Sequence, residues 1–394
     1  MNEPAVSEIR SRTVLPLGIL AAAGFLSSAG ARVIDPLLAV IAQDFHVSVP
    51  AMSIVIAAFT LPYGLNQLLL GPVGDRIGKL RLMFGALCFY AVFTGACALA
   101  ANLQMLTLAR ACAGAASAGL IPACLAYIGD AIPYERRNLA ISRFLIGVVL
   151  AQMTAGPVGG VFGQFLGWRG VFVLLSGIAV VVAAVLFVGM QGVSERSGDF
   201  TFNPGNYTHL ARSPAARYLL VATLVEGAMM GGVFPFIAPF LHQEYGLSIG
   251  AAGFVLACFG LGALIQISNA ARIVPRLGEA GLVAVGGVLI SLAFAAAAVV
   301  AWWQAFVVIQ AVLGVGYFML HPVLQTRASE LLPAARSTAV SFFVFMLFLG
   351  FSLGALAFAG LIATVGYRTA FLIDAAGVAL LSAWLWRFVR HSPP

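Results

Sequence analysis

The sequence predicts an all-α membrane protein of twelve spanning helices in two parallel six-helix repeats, with both termini cytoplasmic, and three observations carry that prediction. Apolar residues make up 61% of the 394 positions and charged residues 9%, with a mean hydropathy of +1.02. A soluble fold cannot bury so much apolar surface. Twelve apolar runs of about 20 residues, the length a helix needs to cross hydrocarbon, can be laid along the chain with short connections. The chain also answers itself. At an offset of 200, Gln43, Phe45 and Ser48 match Gln243, Tyr245 and Ser248, and Arg76, Gly78, Gly114, Pro122, Pro133 and Arg136 match Arg276, Gly278, Gly314, Pro322, Pro333 and Arg336.

The first run, 14–42, is too long for a signal peptide and lacks a small-residue cleavage site, so it reads as the first spanning helix. Runs at 51–70, 80–101, 104–128, 138–165 and 170–190 complete a first half, 1–190. A polar stretch with Gly192, Gly198, Pro204 and Gly205 makes 191–213 the linker. The second half, 214–394, holds runs at 215–243, 249–270, 281–301, 304–329, 337–364 and 369–388. At an offset of 199, Pro36 matches Pro235, and Gly167-Trp168-Arg169 with Phe172 matches Gly366-Tyr367-Arg368 with Phe371. Repeats with an even helix count are parallel, related by an axis along the membrane normal. Placing the termini inside puts Arg10, Arg12, Arg76, Lys79, Arg81, Arg136, Arg137, Arg196, Arg212, Arg272, Arg276, Arg336, Arg387 and Arg390 at the cytoplasmic face and leaves Arg169 and Arg368 outside, the bias that sets orientation. Between the second and third runs, Gly71 to Leu82 places Asp75, Arg76, Lys79 and Arg81 among the glycines 71, 74 and 78. Such a segment is expected to be a short surface loop.

Composition also excludes. The net charge of +7 comes from arginines scattered at the ends of apolar runs rather than from a basic face, which argues against a nucleic-acid partner. Five cysteines lie inside apolar runs without metal-ligand spacing. No phosphate-cradling loop, zinc spacing or catalytic constellation is visible, so neither an enzyme nor an ATP-driven pump is expected, and no cofactor or metal. The expected partners are a small-molecule substrate, protons and the lipid bilayer, and the expected state is a monomer.

Charges within spanning helices are costly unless paired or hydrated, so each marks a candidate site. The first helix carries Arg32 and Asp35, three apart and nearly on one face, followed by Pro36. Asp35 lies about 10–12 Å below the outer end of its helix, and Arg110 about 9–10 Å below that of the fourth. Matched depths predict an ion pair or switchable contact between Asp35 and Arg110, with a static structural pair as the alternative. Glu226 falls close to the midplane of the seventh helix with no basic residue within two turns, which suits a proton carrier or a cation-binding group. His321, with Tyr317 one turn earlier, is a second buried titratable group. Arg32, Asn66, Gln152, Gln310, Tyr317 and His321 join Glu226 as candidate substrate contacts, while Asp374 in the last helix reads as structural. The repeat breaks where Asp75 meets Pro275 and Arg110 meets Gln310.

Gly71, Asp75, Arg76, Gly78 and Lys79 together resemble the loop signature of the major facilitator superfamily. Leu108-Ala109-Arg110 with Gly114 and Gly119 resembles its helix 4 signature, although Ala113 stands where the family often has glutamine. Gly129, Asp130, Pro133, Arg136, Arg137 and Ala140 resemble its following loop. The fifth run, with Gly147, Gly156, Pro157, Gly159 and Gly160, is similar to the signature of the superfamily's drug and sugar efflux members, departing at Gln152 and Val161. The resemblance implies alternating access, a role for Arg110 in proton coupling, and a latch in which Asp75 meets the positive N-terminus of the eleventh helix near Ser337 and Thr338. It implies proton-coupled efflux of a small organic molecule from the bacterial inner membrane, with Asp35 preferred over Glu226 as proton carrier because of its depth-matched arginine. Uptake of an organic anion with protons is the competing reading, and a non-transporting receptor or scaffold a third.

Overall fold

The computed structural model describes residues 15–191, 193 and 204–391, and every regular element among them is a helix. α1 (Leu17–Arg32) stops before Asp35-Pro36, because a proline ring has no N–H to donate and crowds the turn before it. One 3-10 turn (Asp35–Leu37) leads into α2 (Leu38–Asp44). The second half repeats this construction with α9 (Pro214–Gly231), a 3-10 turn around Pro235 (Phe234–Phe236) and α10 (Ile237–Tyr245). The helix expected over 104–128 is also two pieces, α5 (Leu103–Ser117) and α6 (Leu120–Ala131), parted at Ala118-Gly119. Spans that run as one continuous helix are α3 (Ser53–Ile77), α4 (Lys79–Ala98) and α12 (Ala305–Glu330).

Three helices are far longer than one crossing: α7 (Tyr134–Met190), α11 (Ile249–Val299) and α13 (Arg336–His391). Each is broken by one glycine, Gly167 at φ 69°, Gly278 at φ 60° and Gly366 at φ 77°. Side chains disfavour that left-handed conformation and glycine does not. At these breaks the chain reverses. Gly147 of α7 lies against Ala21 and Gly189 against Leu15, both near the start of α1, whereas Arg169, beside the break, reaches Asp44 at the far end of α2. Among the described residues, nine helical stretches are long and apolar enough to cross a membrane.

The surface loop expected at Gly71 to Leu82 is not one. α3 continues through it to Ile77, and a single residue, Gly78 at φ 95°, separates it from α4. The interior of a helix satisfies its own backbone in hydrocarbon or in water, so α3 runs past its apolar part and holds Arg76 exposed at its tip. The polar linker also contains a helix, α8 (Pro204–Arg212).

The two halves of the chain meet along α3 with α13 and along α7 with α11. The internal repeat recurs as packing. A Cβ on Gly114 would fall 2.1 Å from the carbonyl oxygen of Phe59, and one on Gly314 2.0 Å from that of Phe259, so each half lays α5 or α12 directly on a neighbouring backbone.

Candidate functional site

Asp35 is buried where α1 gives way to the 3-10 turn, and neither of its oxygens has a hydrogen-bond partner. Its neighbour is Arg32, whose Nη1 stands 3.8 Å from Oδ2. The expected contact between Asp35 and Arg110 is not made. Arg110 instead donates from Nη1 to the carbonyl of Gly30 at 2.7 Å and lies 4.1 Å over the ring of Phe59. α1 ends two residues after Gly30, so that carbonyl has no helical N–H to accept and sits at the negative end of the helix dipole. A guanidinium satisfies both, and Arg110 caps α1.

Glu226 is not isolated. His321 of α12 brings Nδ1 to 3.0 Å from Oε1 and 3.2 Å from Oε2, joining two separately chosen candidates into one pair. Tyr317 stacks on the imidazole with ring centres 4.9 Å apart. From there the rings continue through Phe259 to Phe234, over which the Arg32 guanidinium lies at 4.6 Å, with Phe351 at 5.7 Å on its other side. Phe351 adjoins Phe348, which stacks on Tyr63 at 4.3 Å, and Tyr63 adjoins Phe59 beneath Arg110. Two runs of aromatic rings, joined by the Arg32 guanidinium, thus link Arg110, Arg32 and the Glu226–His321 pair, crossing between the halves at Arg32 and at Tyr63. Beside the second crossing, the hydroxyls of Thr60 and Ser352 hydrogen-bond across the seam at 2.7 Å. The sequence reading missed these rings. Their signals were the i, i+4 spacing of Phe59 and Tyr63 and the match of Phe59 to Phe259 at the repeat offset.

Other candidates are placed differently. Asn66 donates to the carbonyl of Ala115, and its neighbour Gln67 to that of Ala118, so both amides cap the end of α5. Gln310 is fully buried with neither amide atom hydrogen-bonded, and Gln152 is half-buried on α7. The glycines of α7 are used for close approach. Gly147 faces the carbonyl of Ala21 in α1, Gly159 that of Val33, and a Cβ on Gly156 or Gly160 would fall 2.7 Å and 2.3 Å from the carbonyls of Gly253 and Ile249 in α11. Pro157 lies within that contact. Asp374 is buried with Oδ2 unpartnered.

Of the gate residues, Lys79 is ion-paired with Asp130, and Arg76 is exposed; the surroundings of Gly71 and the side chain of Asp75 lie outside the described residues. The second half pins the same junction with reversed polarity, Glu279 accepting from Arg327 at 2.7 Å. Near this basic end a cavity of about 210 Å³ opens between the halves, with Gln67, Lys79, Tyr207, Ser337, Thr338 and Ser341 on its wall. At the opposite end each half carries an arginine staple. Arg169 donates to Asp44 at 2.7 Å and to the carbonyl of Ala100 at 3.1 Å, while Arg368 faces Glu244 at 4.0 Å and donates to the carbonyl of Val300 at 3.1 Å. No cluster of potential metal ligands occurs among the described residues.

Long apolar helices, a repeated packing scheme, and a seam of buried charge and aromatic rings between two halves define a polytopic membrane carrier. The sequence model of the Major Facilitator Superfamily matches residues 20–222 and 219–394, and the chain belongs to that superfamily. The chain is 24% identical to the uncharacterized MFS-type transporter YwfA of Bacillus subtilis over 74% of its own length and 73% of the relative's. To an MFS-type efflux pump of Mycolicibacterium smegmatis it is 26% identical, over 67% of the chain and 62% of the relative. The fold is shared with a bacterial homolog of the human lysosomal transporter Spinster in an inward-facing, unoccupied conformation, at 20% identity with a TM-score of 0.78 over 98% of both chains. It is shared equally with the nucleoside transporter NupG, at 14% identity with a TM-score of 0.79 over 94% of this chain and 98% of that one.

Proposed function

We propose that the protein is a secondary active transporter of the bacterial inner membrane that exports a small organic molecule by alternating access, in exchange for protons. In this reading α7, α11 and α13 each cross twice, which gives twelve passes: six in 1–190, six in 214–394, a cytoplasmic linker over 191–213 and both termini inside. It works as a monomer without cofactor, catalytic chemistry or nucleic-acid partner. Asp35 carries the proposal. A buried carboxyl group with no hydrogen bond to either oxygen, beside a guanidinium that also rests on rings from the other half, can take up and release a proton without dismantling a network. Arg110 acts on Asp35 through the helix end that it caps. Arg32, Tyr317 and His321 face the substrate, with Gln152 and Gln310 beside them, and a substrate group that reaches Glu226 replaces the imidazole of His321. Asp75 closes the basic end against the start of α13.

Export is supported by the likeness of the α7 glycine run to the signature of efflux members and by relatives named as efflux pumps. Uptake of an organic anion with protons is the second reading, and the observation in its favour is the Arg32 guanidinium, 20% exposed between Phe234 and Phe351. The test compares accumulation of candidate compounds in cells with and without the protein, before and after collapse of the proton gradient. Lower accumulation that returns to the control level on collapse supports export, and higher accumulation that collapses supports uptake. Accumulation that never depends on the protein removes both.

A further inference from the structure

The described part of the linker is a short helix laid across the two halves. Leu210 of α8 is 1% exposed and packs with Ala216, Leu220 and Ala339, all residues of the second half. One turn earlier, Tyr207 sets its ring edge-on against Phe342 of α13, also in the second half, at 5.9 Å between centres. Its hydroxyl, however, donates to the carbonyl of Leu68 in α3, in the first half, at 3.2 Å. Tyr207 also stands on the wall of the cavity that parts the halves at the basic end.

We infer that Tyr207 is a releasable tie between the halves, a gating residue that limits how far the basic ends of α3 and α13 separate during transport. The two attachments differ in strength. Leu210 is held by buried apolar contact on one side only, so α8 travels with the second half. Across the seam the tie includes a neutral hydrogen bond to a backbone carbonyl, of the kind whose net contribution in water is small and whose loss can be made good by solvent at a half-buried site. Any separation of the ends therefore strains the Tyr207–Leu68 contact before it disturbs the Leu210 anchor. The mouth of the cavity widens when that contact yields. The inference concerns access, so it holds for export or uptake alike.

Tyr207→Phe removes the hydroxyl and keeps the ring on Phe342. In the full-length protein carrying Ala126→Cys, an exposed cavity-lining position, the rate at which the introduced thiol reacts with a membrane-impermeant maleimide is followed by intact mass. The five native cysteines are read in a parent that keeps Ala126. Tyr207→Phe should raise the rate about fivefold, the equilibrium shift that accompanies loss of one such bond. Its transport should show an altered kcat with unchanged KM. A rate equal to that of the protein with Tyr207 intact overturns the inference, as does a raised rate with unaltered kcat. Should the variant fail to accumulate, Leu68→Cys with Tyr207→Cys gives an independent reading. Bridging the two thiols with a short bis-methanethiosulfonate should stop transport and reduction should restore it, and full transport by the cross-linked protein overturns the inference.

Discussion

A buried carboxylate that lacks hydrogen bonds is a costly thing to keep, and Asp35 is kept beside Arg32 at 3.8 Å, too far for a good hydrogen bond. In the proposed cycle the loose contact lets the group change its charge. Asp35→Asn should therefore abolish proton movement while leaving substrate exchange, which needs no net proton flux. Parallel recording of proton and substrate flux in proteoliposomes checks this, and full coupling in the variant transfers the role to Glu226 and His321. That second pair invites a double-mutant cycle. Glu226→Gln and His321→Ala should show a coupling of about 1–3 kcal/mol in thermal unfolding of the solubilised protein, since groups within one hydrogen bond are not additive. The charged members of the site were legible because a charge inside an apolar run stands out. Their partners were not. Glu226 and His321 are 95 positions apart, and the group that holds Arg110 is the backbone carbonyl of Gly30, which no side-chain pattern reveals.

For single elements, hydropathy located the spans but not their ends, because it reports where apolar residues stop and hydrogen bonding need not stop there. α3 overruns its apolar part to Ile77, whereas the run at 104–128 divides at Ala118-Gly119 with no charged residue to mark the division. The glycines of α7 were legible as a packing run, although the sequence could not say that they serve two neighbours, α1 and α11. Their use predicts a graded series. Gly160→Val places atoms into the Ile249 carbonyl and should cost about 1–3 kcal/mol, read as a lower melting temperature and loss of monodisperse protein. Gly129 faces open space, and Gly129→Ala in α6 should be neutral or stabilising by up to about 1 kcal/mol through helix propensity.

Across the whole molecule the repeat was the most legible feature, and the structure shows what it repeats: a proline turn, a glycine reversal and an arginine staple in each half. Because the two staples lie in different halves without shared partners, Arg169→Ala and Arg368→Ala should each lower stability by about 1 kcal/mol and combine additively to within about 0.5 kcal/mol. Thermal unfolding of the singles and the double variant tests this, and a strong excess in the double would mean that the ends of the two halves brace each other. The reversals at Gly167 and Gly366 reach further than folding energetics. In the proposed twelve-pass topology, one residue at each turn leaves the two crossings on either side no slack in which to thread separately, so each pair should enter the bilayer together as a hairpin. On the face that carries the staples, neither reversal then offers a segment loose enough to enter a protease's cleft. A protease added from that face should leave the turns at Gly167 and Gly366 uncut, and a cleavage site inserted at Gly167 should be cut only at the cost of the hairpin.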